Sequence, residues 1–366
     1  MRGKTLILLA VAAVAAIIAT MLLERSSAPD STVVDGGLLY PNLKSHLNGI
    51  ERLEVSGAGT GDPIVLERSD SGWVVLQKAG YAADAGKIRQ LLLRLAEASI
   101  VEAKTANPDL YARLAVADLD APEGAGTLLT IGPPADIRVV VGERDARAGG
   151  TYVRRAGEAQ SYLVDADIEA NHEALDWVDR EIMDIDSSAI RELRVTHADG
   201  EVLQLLRVGD QLVVAGIPRD RELSAPGATQ PMARFLSPMR LDDVLPVGEF
   251  DQSNPEATVD VFLDDGRRIT ARAWNRDAER WMAFDISLDP ATAPETVAAA
   301  AEDSAVGTDE PDGNGIGGGE SVVERADPEK VAREDAELAG WVFRVPVYKY
   351  DQSVRRMDDL LKPVGD

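Results

Sequence analysis

Chemistry in this chain would have to rest on three histidines, His46, His172 and His197, and on scattered carboxylates, because it contains no cysteine. His172 is the best placed of these. On a helix spanning about residues 167–179 it would have Glu169 at i−3 and Asp176 at i+4, a trio able to hold a metal ion or pass a proton. The same spacing also describes an ordinary charged helix face held by side-chain pairs, and that plainer reading is favoured. His46 and His197 are expected in solvent, the second beside the Asp199-Gly200 turn. The adjacent acids Asp264-Asp265 and Asp358-Asp359 supply two carboxyls each. Glycoside hydrolysis needs such carboxyls to face each other across a substrate, which neighbours on a turn or helix surface cannot do. Asp309-Glu310-Pro311-Asp312-Gly313-Asn314 has calcium-binding residue types without the spacing of a helix-loop-helix site.

Phosphate-binding loops fare no better. Gly57-Ala58-Gly59-Thr60-Gly61 follows an expected strand, yet Asp62-Pro63 leads into a second strand where a dinucleotide fold would place a helix N-terminus. Gly80 to Lys87 has the wrong glycine spacing for a nucleotide loop, and Ile88 replaces its hydroxyl. There is no G-x-S-x-G elbow. Without cysteine, thiolate nucleophiles, iron–sulfur clusters and thiolate-bound zinc are excluded. No catalytic residue, cofactor or metal is expected.

The chain has 366 residues and a formal net charge of −25. That length favours two domains, and that charge argues against a nucleic-acid partner, which would demand a basic footprint. From Leu6 to Leu23 runs an 18-residue segment whose one polar member is Thr20, with Arg2 and Lys4 before it. Its length suits a bilayer and its flanking charge places the start in the cytoplasm, so a single-pass anchor is expected, with residues 24–366 on the far side of the membrane. A cleaved signal peptide is the competing reading, with small residues at Ser26-Ser27-Ala28, although Pro29 stands against cleavage there. Ala12, Ala16 and Thr20 recur every four residues and would form a helix-packing face, unless they reflect only the abundance of alanine.

The anchor (1–23) and a tether (24–48) rich in serine, glycine and proline lead into alternating apolar patterns. Strands are predicted at 50–55, 64–68 and 73–77. A helix follows, with Asp84 as N-cap and Ile88, Leu91, Leu92, Leu95 and Ala98 on one stripe. Asn107-Pro108-Asp109 opens a short helix, and strands return at 127–131, 138–141, 151–155 and 160–164. The pattern then restarts. Ile190, Leu193 and Val195 repeat Ile50, Leu53 and Val55 at an offset of 140, and Leu66, Arg68, Val74 and Val75 recur as Leu205, Arg207, Val213 and Val214 at 139. A helix carrying Met232, Phe235 and Leu236 opens at Thr229-Gln230-Pro231, and strands follow at 258–263, 269–274 and 281–286. The expected fold class is α+β: a transmembrane helix followed by two tandem modules of antiparallel sheet plus helix, at 49–186 and 187–366.

The second module contains a tract, 289–338, with 14 acids, three basic residues and no aromatic. Too little of it can be buried to offset the entropy of ordering, so it is expected to be a disordered insertion. Trp341, Phe343, Val345 and Val347 would share one face of the next strand, and a final helix would start near Ser353 with Val354, Met357 and Leu361 on one side. Tyr348, Lys349 and Tyr350, just after Pro346, are the candidate partner edge.

Gly49-Ile50-Glu51-Arg52-Leu53, Gly72-Trp73, Ala83-Asp84, Gly149-Gly150-Thr151-Tyr152-Val153-Arg154-Arg155, Asp176-Trp177-Val178-Asp179-Arg180 and Arg240-Leu241-Asp242-Asp243-Val244 together resemble the bacterial family called domain of unknown function 4340. The similarity runs through most of residues 49–250. The resemblance implies no reaction and no catalytic residues. It does imply a membrane segment and an association with an ABC-type transporter or an auxiliary envelope protein. The expected function is therefore a non-catalytic extracytoplasmic accessory or scaffold protein. A carboxylate-using envelope hydrolase and a lipid-, glycan- or peptide-binding module are the alternatives.

Overall fold

The computed structural model describes residues 36–59, 61–290 and 325–363. The expected anchor from Leu6 to Leu23, its face of Ala12, Ala16 and Thr20, and the Asp309–Asn314 stretch lie outside these residues. Among the described residues no helix is long and apolar enough to cross a membrane. The chain divides into two compact units between Asp179 and Arg180.

In the first unit a short helix, α1 (Leu43–His46), precedes strands β1 (Arg52–Ser56), β2 (Ile64–Ser69), β3 (Gly72–Val75) and β4 (Tyr81–Ala82). Helix α2 (Ala85–Glu97) then leads to β5 (Ile100–Ala103), β6 (Thr127–Ile131), β7 (Ile137–Arg144), β8 (Thr151–Arg155) and β9 (Ser161–Val164). One sheet holds all nine in the order β4-β3-β2-β1-β6-β7-β8-β9-β5, with every paired neighbour antiparallel. Period-two alternation puts Leu53, Val55, Leu66, Val75, Leu129 and Ile131 on the buried face. The side chain of Asp84 accepts from the Lys87 amide to start α2. Ile88, Leu91, Leu92, Leu95 and Ala96 of that helix are buried, the larger ones contributing about 1.5–3 kcal/mol each. Topologically, α2 is the crossover that carries the chain from one end of the sheet to the other.

The second unit opens with β10 (Glu181–Met183), followed by β11 (Ile190–His197), β12 (Val202–Val208) and β13 (Gln211–Val214). Next come α3 (Gln230–Ala233), β14 (Met239–Arg240), β15 (Asp243–Pro246), β16 (Ala257–Leu263), β17 (Arg267–Arg276) and β18 (Glu279–Leu288). Helix α4 (Pro328–Leu338), β19 (Trp341–Arg344), α5 (Val347–Ser353) and α6 (Met357–Leu360) complete it. Its main sheet runs β13-β12-β11-β16-β17-β18-β19-β15, which is the order of the first sheet strand for strand, less β4. Registers agree as well: Leu53 faces Leu66 where Leu193 faces Leu205, and Leu66 faces Val75 where Leu205 faces Val214. Even the minor pairings recur. Ala83 bridges Val178 and Leu223 bridges Leu361, each tying the start of the crossover to the tail of its unit. The Leu38–Ser99 bridge has its counterpart in the β10–β14 pair.

Each sheet also carries a small second core. Tyr111, Val116, Ala117 and Val140 form one in the first unit. Trp274, Trp281, Ala283 and Val342 form the other, with Phe250 against both tryptophans at ring-centre distances of 5.3 and 5.4 Å. Val342 serves this cluster while Phe343 packs near Phe284, so β19 is buried on both faces and not on the one expected.

Three expectations need correction. No helix covers 167–179. The segment has no regular structure apart from a single 3-10 turn at Ala174–Asp176 and a bridge at Val178, because its end pairs instead with the start of the crossover: the Asp84 amide donates to Trp177 O, and the Asp179 amide donates to Ala82 O. Long-range pairing has overridden a local helical pattern. The acidic tract is ordered at its end, where α4 begins at an Asp327 cap followed by Pro328 and buries Val331 and Leu338. Finally, the terminal helix starts earlier than expected. Pro346 stops β19 and caps α5, which ends at Ser353.

Candidate functional site

Crossover helices and unit tails together build one cleft per unit. In the first, Lys87, Gln90 and Arg94 project from α2 opposite Glu169, Asp176 and Trp177, around a cavity of about 160 Å³. Three of its polar side chains are engaged with backbone carbonyls. Lys87 Nζ donates to Asp176 O at 2.7 Å, Arg94 Nη1 donates to Asp167 O at 2.8 Å, and Trp177 Nε1 donates to Asn171 O at 2.7 Å. The tail is thereby laced to the helix, and cations and carboxylates share the lining.

The second cleft lies between α3 and α5 and is larger, about 450 Å³. Gln230 and Arg234 line one side, Lys349 and Gln352 the other, with Pro238 and Tyr348 among the remaining walls. Lys349 is 5% exposed and spends two of its N–H groups on the Arg234 and Ser237 carbonyls, at 2.9 and 3.0 Å. Burial holds its pKa below the ordinary lysine value, partly opposed by the charge of Asp184. Arg234 is exposed. Its guanidinium has no hydrogen-bond or ion-pair partner among the described residues. Thr229 fixes the start of α3 by donating its hydroxyl to Leu212 O at 2.7 Å.

Gln90 and Arg94 recur as Gln230 and Arg234 at the offset of 140 that also relates Ala83 to Leu223. A glutamine and an arginine four positions apart thus line the same side of the same cleft in both units. The sequence contained this signal. By itself it says little, because two polar residues on a helix surface mean nothing particular until the helix is known to border a cavity.

The candidates drawn from the sequence mostly serve structure. Glu169 and Asp176 both line the first cleft, but His172 sits against Gly57, where an added Cβ would lie 2.8 Å from the imidazole. His197 is buried, contrary to the solvated position expected, with Nε2 3.4 Å from Arg355 O. Asp265 pairs with Arg267 at 2.8 Å, Asp358 with Arg221 at 3.1 Å, and Asp359 accepts from the Arg356 amide at 2.8 Å. Each carboxylate is a local tie with no substrate-facing partner. Among the described residues no group of three histidines or acids is arranged to hold a metal ion.

The partner edge at Tyr348, Lys349 and Tyr350 belongs to α5 and is no strand edge. Tyr348 is 60% exposed, whereas Lys349 turns into the cleft floor and Tyr350 is 1% exposed. The Tyr350 hydroxyl donates to Glu256 Oε2 at 2.7 Å. Burial and that bond raise its pKa above the ordinary tyrosine value. Helical geometry, with 100° between neighbours, is what separates three residues that a strand edge would have presented together.

No curated protein and no solved structure matches the chain. The sequence profile described as "Domain of unknown function (DUF4340)" matches residues 73–258, from β3 into β16. That span is just over half of the chain and includes both crossover helices with their Gln and Arg pairs. The chain therefore belongs to the DUF4340 family.

Proposed function

We propose that this chain is a membrane-anchored, extracytoplasmic accessory protein that binds another envelope protein and performs no reaction of its own. The apolar segment from Leu6 to Leu23 would hold it in a bacterial inner membrane, with Arg2 and Lys4 on the cytoplasmic side. Both units would then stand in the periplasm, and an ABC-type transport assembly or its auxiliary protein is the proposed partner. The observation that carries the binding role is the recurrence of one cleft, lined by the same Gln and Arg pair, in two units of the same topology. Asp265, Asp358 and Asp359, three of the adjacent acids singled out from the sequence, are engaged in ion pairs and a cap.

Two measurements test this reading. A reporter active only outside the cytoplasm, fused after Asp30, is expected to be active; activity of a cytoplasm-only reporter at that position would overturn the topology. Crosslinking in intact cells, followed by detergent extraction and mass spectrometry, is expected to recover a transporter component with the chain. Recovery of the chain alone, together with turnover by the purified protein, would establish an enzyme instead.

A further inference from the structure

The two clefts share a plan but differ in charge. In the first, Arg94 is committed to Asp167 O, and Glu169 and Asp176 stand in the lining. In the second, Arg234, just past the end of α3, has no hydrogen-bond or ion-pair partner among the described residues, Lys349 forms part of the floor, and no carboxylate is in the lining, the nearby acids Asp184 and Asp186 standing behind it. Several arginines of the same unit do meet acids closely: Arg221 with Asp358 at 3.1 Å, Arg268 with Asp260 at 2.7 Å, Arg272 with Asp285 at 2.8 Å. An arginine left unpaired beside a buried lysine marks a place where negative charge is to be supplied from outside.

The rest of the lining indicates what carries that charge. Gln230 and Gln352 offer amide groups that can donate to and accept from a peptide backbone, and Pro231, Pro238 and Tyr348 provide apolar walls. A free phosphate would be better served by a run of open backbone N–H groups. Here Pro231 removes one such donor, and the Arg234 amide is already bonded to Pro231 O at 3.2 Å. A planar guanidinium is instead suited to grip a carboxylate with two parallel bonds. We propose that the cleft formed by Gln230, Arg234, Lys349 and Gln352 receives an acidic side chain from an extended peptide segment of a partner protein. This rests on the accessory reading for the existence of such a partner and adds its recognition chemistry.

The test uses the full-length protein in detergent and a dye-labelled hexaglutamate peptide, acetylated and amidated at its ends, followed by fluorescence anisotropy at low salt. Saturable binding is expected, weakened roughly tenfold by Arg234→Glu and changed less than about twofold by Arg89→Glu, an exposed arginine of α2 outside both linings. Hexaglutamine should bind at least about tenfold more weakly than hexaglutamate. Because Arg234 is exposed, Arg234→Glu should keep the parent unfolding midpoint. Equal binding by parent and Arg234→Glu, equal binding of the two peptides, or full displacement by excess inorganic phosphate would each overturn the proposal. The cell crosslinking separates the two claims. A partner recovered in cells with no peptide binding in vitro sinks the cleft assignment alone, whereas peptide binding lost with Arg234→Glu and no partner in cells sinks the accessory reading alone.

Discussion

Replacing Gly150 by alanine is expected to lower the unfolding midpoint of the first unit by about 10 °C, corresponding to about 4 kcal/mol. Gly150 has φ +83°, and a Cβ there would run into the carbonyl oxygen of Val164. Neither partner can move away easily. The next residue, Thr151, pairs with Val164 across β8 and β9. Its hydroxyl donates to Ala166 O at 2.9 Å and accepts from the Ile168 amide at 3.0 Å. Backbone approach at this point therefore fixes where the chain leaves the sheet to form the tail of the first cleft. Gly149 is the internal control. Its φ is +71°, yet nothing lies within 4 Å of an added Cβ, so Gly149→Ala should cost only the left-handed strain of about 1–2 kcal/mol. Calorimetry of the two variants decides the matter. Equal losses would mean that the close approach to Val164 is unimportant.

The second large effect concerns α4. β18 is ten residues long, but β19 pairs only with its Trp281 and Met282. Much of the remaining edge would be open to another strand, and α4 covers it. Asp335 Oδ1 accepts from the Ile286 amide at 2.7 Å, replacing a missing ladder bond. Arg267 joins Glu334 at 3.0 Å, and Val331 and Leu338 are buried. Substituting a short Gly/Ser linker for 291–324 is expected to leave the midpoint within about 2 °C, since loop-closure entropy varies slowly with length. Extending the replacement through Leu338 is expected to cost about 4 kcal/mol or more, from two buried aliphatic side chains and an orphaned amide, and to promote aggregation through the bared edge. Equal midpoints for the two replacements would show that α4 contributes nothing to the unit.

Much of the fold could be read locally. Alternation in Leu53 and Val55 and in Leu193 and Val195 identified the sheets and which side of each is buried, because a strand repeats every two residues whatever surrounds it. Asp84 followed by a stripe of leucines identified α2, since a cap and a 3.6-residue period are properties of the segment itself. The offset of 140 exposed the repeated plan.

Other elements were decided only by what they met. β5 and β15 are four residues each and show no clean alternation. They are strands because β9 and β19 present unpaired edges to them. Residues 167–179 have a helical pattern but form no α-helix, because Ala82 and Asp84 take up backbone groups of Asp179 and Trp177. Helix α4 exists where composition argued for disorder, because β18 left an edge to cover and Asp335 could satisfy it. The clefts belong to this second class. Gln230, Arg234 and Lys349 are unremarkable polar residues more than a hundred positions apart at the extremes, and they become one site when a crossover helix and a chain tail are forced onto the same side of a sheet. Residue periodicity determines the elements, whereas the edges and surfaces left uncovered after those elements pair determine where the remaining segments go and what they bring together.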